Sequence, residues 1–196
     1  MDVSARSGTR DLKPGFRIIL RNWWPVAIWL GIIRLESTGY ASAANTYTLL
    51  LRVLRFVFGR IDPYLVYELD HALRKSGHFI GYAVLSGLTF LALRNSYRDR
   101  VSSWLHRPWG RSLGDYWRLE WSLIAILLTL VTASMDEIHQ TFLPSRTGRW
   151  QDVLLDTSGA FVLQLIIYVA CHLRFSFRNS GGVPPAPKLP LAESDS

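Results

Sequence analysis

Asp136, Glu137, Asp152 and Asp156 fall within one short stretch of the chain, with His139, Gln140 and Arg146 among them and strongly apolar runs on either side. Carboxylates accept hydrogen bonds, exchange protons and bind hard cations, and arginine grips phosphate or carboxylate with two parallel N–H donors. A second polar set comes earlier. Lys75, His78 and Tyr82 are spaced i, i+3, i+7 and share one face of a helix. Ionisable groups at the end of a membrane helix cost free energy and mark either function or a required partner.

Such groups need elements to carry them. Of the 196 residues, 49% are hydrophobic and 19% charged, and the length suits one domain. Four apolar segments stand out, with spans expected near 16–35, 76–93, 119–138 and 153–173. Each approaches the roughly 20 residues that a span needs once polar ends are included, and each is apolar all round rather than on one side. The expected fold is all-α: a small polytopic membrane helical bundle of four transmembrane helices plus an interfacial amphipathic helix. That last helix is expected over Tyr47 to Phe58, with Leu50, Leu51, Leu54, Val57 and Phe58 on one side and Thr48, Arg52 and Arg55 on the other. The competing expectation is a packed core helix. Asp62-Pro63 has the form of an N-cap followed by proline at the first helical position. Residues 1–15 read as a cytoplasmic N-terminal segment and 174–196 as a disordered cytoplasmic tail, with Gly181-Gly182 and a run of prolines.

The net charge is +7, yet the basic residues come in groups between apolar runs rather than as one patch, which argues against nucleic acid and for topology signals. With the N-terminus in the cytoplasm, fourteen Lys and Arg fall inside and eight outside. The first segment resembles a signal peptide ending at Ala41-Ser42-Ala43, but Arg34 and Glu36 interrupt it, and it reads as an uncleaved signal anchor. The only cysteine, Cys171, excludes an intramolecular disulfide and a cysteine metal cluster.

This topology brings the start of the second span, the end of the third and the start of the fourth to one level near the outer headgroups. Lys75, His78, Tyr82, Glu137, Gln140, Arg146, Asp152 and Asp156 therefore converge, and Gly159 and Ala160 supply small residues for close helix approach. For Asp70, Asp136 and His139 the plain alternative to a functional role is that of solvated boundary residues. Glu137 and Asp156 lie close to apolar spans and need partners, for which Lys75, His78 and Arg146 are at hand.

Glu137-x-x-Gln140 followed by Phe142, Pro144, Arg146, Asp152 and Gly159 resembles the VanZ-like family of bacterial membrane proteins. Lys75-x-x-His78-x-x-x-Tyr82 matches that family's other motif, and the resemblance covers roughly residues 16–173. The chain departs from it at Arg74, Ser145 and Asp156, where members often carry Asp, Gly and Asn. The resemblance implies a small multi-span protein of the bacterial cytoplasmic membrane. The family's name-giving members are linked to resistance against the glycopeptide teicoplanin, but the resemblance supplies no reaction.

Three functions remain open at this level. The first is a binding module that recognises a lipid-linked envelope precursor or a lipid-tailed glycopeptide, with Lys75 and Arg146 on its anionic groups. The second is an intramembrane enzyme with Glu137 or His78 as general base, the only reading that would involve a cofactor, Mg²⁺ on Glu137, Asp152 and Asp156. The sequence contains no nucleophile elbow, zinc motif or P-loop, which ranks the enzyme lower. The third is an ion-pair clasp that holds the helices in register. Transport ranks last, because the polar residues gather at one end rather than at the midplane.

Overall fold

The computed structural model describes residues 14–37, 43–105, 112–142 and 148–180. They form six helices: α1 (Pro14–Glu36), α2 (Ala43–Phe58), α3 (Pro63–Leu105), α4 (Leu113–Tyr116), α5 (Leu119–Gln140) and α6 (Trp150–Ser180). Four segments are long and apolar enough to cross a membrane: α1, α3, α4 with α5, and α6. Most large apolar side chains outside the core, such as Leu127, Phe161 and Ile166, face outward, as a bundle solvated by lipid requires.

α3 is the element on which the others pack, and it contacts α1, α2, α5 and α6. It starts well ahead of the apolar run at residue 76 because Asp62 caps it, accepting the Tyr64 N–H at 2.9 Å. It then runs unbroken because the next proline is Pro108. Its 43 residues span about 65 Å, twice the roughly 30 Å hydrocarbon core, so both ends extend beyond the apolar layer. α6 likewise outlasts its expected span. Residues 174–180, expected as the start of a disordered tail, are helical, since no Gly or Pro intervenes before Gly181; the rest of the tail lies outside the described residues.

Helix contacts combine apolar packing with hydrogen bonds between helices. Val26 and Ile33 of α1, Tyr82 and Leu85 of α3, and Ala133 of α5 share one core cluster. Gln164 donates to the Ser86 hydroxyl at 2.8 Å, joining α6 to α3. Trp29 of α1 donates to the Gly81 carbonyl at 2.8 Å, and Asn22 donates to Asp99 at 2.9 Å. At the end where α5 begins, Trp121 meets Phe90 and Tyr97, and Arg118 sits 4.9 Å over the Tyr97 ring, an arrangement typical of a membrane interface.

α2 turns Leu50, Leu51 and Leu54 partly inward, and it packs on α3. Val57 and Phe58, expected on the same side, are instead exposed with Leu49, Val53 and Phe56. α2 thus has two apolar faces, one of them uncovered. It ends at Gly59, whose φ of 76° is left-handed and whose N–H caps the Arg55 carbonyl at 3.0 Å.

α6 crosses α3 at Gly159, where a methyl group would collide with the Phe79 carbonyl oxygen. Gly159→Val should therefore separate α3 from α6 and cost about 1–3 kcal/mol. A lowered midpoint of thermal unfolding in detergent is the expected measurement, and an unchanged midpoint would show that the crossing has slack.

Candidate functional site

The end of α5, the start of α6 and the N-terminal half of α3 surround a polar cavity of about 380 Å³. From α3 come Tyr67, His71, Arg74, Lys75 and His78, which recur on one face at helical spacing. α5 supplies Glu137 and Gln140. Arg149 precedes α6, and Asp152, Leu155 and Asp156 follow on its first two turns. Lys75, His78, Glu137, Gln140, Asp152 and Asp156 are therefore brought together. Tyr82 lies beneath them, fully buried, its ring 6.3 Å from that of His78. Arg146 lies outside the described residues.

Glu137 is only 7% exposed, and its Oε2 accepts the Arg149 N–H at 2.8 Å. The approach depends on Gly148: a methyl group there would collide with the Glu137 carbonyl and the Thr141 side chain. The chain entering α6 is thereby held against the end of α5, with the Arg149 N–H directed at a carboxylate. Asp156 is 1% exposed; its Oδ1 lies 3.8 Å from His78 Nδ1, an ion-pair distance longer than a hydrogen bond. Neither of its oxygens has a hydrogen-bond partner among the described residues, and the same holds for the Tyr82 hydroxyl.

Asp136 corrects the expectation of a solvated boundary residue. It is 4% exposed, accepts from the Ser37 hydroxyl just past α1, and accepts from Gln140 Nε2 at 3.0 Å. Arg34 Nη1 stands 4.0 Å away. Its neighbour Glu137 looks into the cavity while Asp136 ties α5 to α1, because adjacent residues on a helix point about 100° apart. Asp70 is also buried rather than solvated. Two nearby hydroxyls bond to backbone of their own segment: Ser134 donates to the Leu130 carbonyl and Thr141 to that of Ile138.

The residues that spacing alone missed are Tyr67, His71, Arg74, Arg149 and Leu155. The signal for the first three is their helical register with His78, which reaches the site only if α3 begins well before residue 76. Glu137, Asp152 and Asp156 do not gather into a metal-ligand set: among the described residues no group of three or more His, Cys, Asp or Glu is placed to hold a metal ion.

A family model described as VanZ/LLP1 matches residues 23–172. The chain belongs to the VanZ/LLP1 family. Neither the curated proteins nor the solved structures gave a match. The matched region takes in the last three-fifths of α1, the whole of α2 to α5 and most of α6, so in this VanZ/LLP1 protein the cavity is built wholly from family sequence.

Asp136→Leu in this VanZ/LLP1 protein should leave the Ser37 hydroxyl and the Gln140 amide without their acceptor and lower stability by about 1–3 kcal/mol. Asp136→Asn keeps one acceptor oxygen and should lose less. Equal melting temperatures for the two variants would show that the hydrogen bonds contribute little.

Proposed function

We propose that the chain is a membrane binding protein whose polar cavity, at the extracytoplasmic ends of its helices, recognises the anionic headgroup of a cell-envelope amphiphile. The observation that carries this is the charge arrangement of the cavity. Arg74, Lys75 and Arg149 contribute cations around a wall formed by Glu137, Asp152 and Asp156. Cationic side chains hold a phosphate or carboxylate, with arginine adding the geometric match of paired donors, and the acidic wall accepts hydrogen bonds from hydroxyl, amide or amine groups. A lipid-linked envelope precursor has this chemistry, and so does a lipid-tailed glycopeptide, which would connect the site to teicoplanin-type resistance.

Orientation is tested by thiol labelling. In a Cys171→Ser background, single cysteines at Thr147 and Ser103 are exposed to a membrane-impermeant reagent on intact cells. Labelling at Thr147 alone is expected, with both termini cytoplasmic. Labelling at Ser103 alone would put the cavity on the cytosolic side and end the envelope reading.

Binding is tested by retention of phosphatidylglycerol against phosphatidylcholine on the purified protein. Lys75→Ala and Arg149→Ala should each weaken phosphatidylglycerol retention by roughly tenfold or more, the effect of losing one charged hydrogen bond. Glu137→Gln preserves an acceptor for the Arg149 N–H, so the protein should accumulate normally while its ligand preference changes. A fall in protein level instead would favour the structural clasp.

The His78–Asp156 pair favours a second reading, an enzyme. A histidine backed by a buried carboxylate suits general acid–base work on a bound ester or phosphate. Turnover of a labelled envelope lipid by the purified protein, lost in His78→Ala, would establish it; binding without product would leave the binding protein.

A further inference from the structure

α1 packs chiefly on α3, and this leaves a second hollow, of about 570 Å³, between α1 and α5. Its walls are mostly apolar: Leu30, Gly31 and Ile33 on one helix, Thr132 and Met135 on the other. Arg34 and Asp136 complete its lining. From this geometry we infer that the α1–α5 groove holds the hydrocarbon chain of the same amphiphile whose anionic headgroup occupies the polar cavity. The inference rests on the headgroup reading of that cavity.

Three observations support it. The groove and the cavity adjoin through one hydrogen-bonded pair. Asp136 Oδ1 turns to Ser37 and Arg34 on the groove side, and Oδ2 accepts from Gln140, which lines the cavity. The vertical order is also right for an amphiphile. Thr132 and Met135 precede Glu137 and Gln140 on α5, so the groove lies up to about 12 Å deeper in the apolar layer than the cavity. On α1, Leu30 likewise precedes Arg34, and that helix ends at the same level. Finally, Gly31 has open space where a side chain would be: a methyl group there would meet nothing within 4 Å. The protein's own packing does not need that gap. It widens the groove beside a cation, Arg34, that complements an anionic headgroup.

The occupant is therefore an anionic lipid entering sideways from the bilayer, its head drawn past Arg34 toward Arg149 and Lys75. Gly31 makes the idea testable without harm to the fold, because a larger residue fills the groove, and replacing a helical glycine favours the helix.

The experiment uses the full-length protein in phosphatidylcholine nanodiscs containing a phosphatidylglycerol whose acyl chain bears a diazirine. After photolysis, the labelled residues are located by mass spectrometry. Label is expected at Leu30, Thr132 and Met135. It should fall about tenfold in Gly31→Trp, the scale of overfilling a confined space, while thermal stability is kept. It should also fall in the Lys75→Ala, Arg149→Ala double variant. Label spread over the outward faces of α1 and α5 and unaffected by Gly31→Trp would overturn the groove while leaving the headgroup site to its own binding test. Groove label lost in Gly31→Trp but unchanged in the double variant would overturn the shared ligand, while phosphatidylglycerol retention by the same double variant decides the headgroup site. Gly31→Leu repeats the test if the tryptophan variant melts early.

Discussion

Carboxylates buried at the edge of an apolar bundle must each find a partner, and the upper half of this molecule is organised around that requirement. Asp136 is held by a hydroxyl at the end of α1 and by an amide one turn further along α5. Glu137 takes a backbone N–H from the chain entering α6. Asp156 is set against the His78 ring of α3. Each acid thus reaches a different neighbour, and together they join α1, α3, α5 and α6 at one level. Removing a partner would leave a charge or polar group in a medium that solvates it poorly, which is why such contacts define helix positions even where their net stabilisation is small.

Small residues allow the approach. Gly148 brings the loop onto the end of α5, and Gly159 brings α6 onto the α3 backbone. Without a strong hydrophobic drive between helices in lipid, close packing and interhelical hydrogen bonds such as Gln164 to Ser86 hold the bundle together. The polar cavity lies where these three helices, tied by their buried acids, meet. The groove between α1 and α5 has the same origin: α1 follows α3, and α5 is left with one flank uncovered.

Much of this was legible from spacing. Lys75 and His78 share a face whatever helix carries them, and Glu137 and Gln140 do too. The alternation of span directions then puts those faces at one end of the bundle. Two kinds of residue escaped. Tyr67, His71 and Arg74 stand in the same register as His78, but hydropathy places them before the span, and only an unbroken α3 carries them to the cavity. Asp136 has the composition of a boundary residue, and its burial depends on where α1 ends. Its partner Ser37 is remote in sequence, so no local pattern announces the pair.

The amino-acid sequence by itself determined the helices, their apolar lengths, the residues sharing each face and the VanZ-like character of the chain, because these follow from periodicity and from order along one strand of backbone. Only the tertiary structure decided that Tyr82 sits under the site rather than in it, that Arg149 supplies the N–H for Glu137, and that an apolar groove adjoins the polar cavity. Those outcomes turn on how each helix is rotated and tilted against its neighbours, which is settled by side-chain packing between residues far apart in the chain.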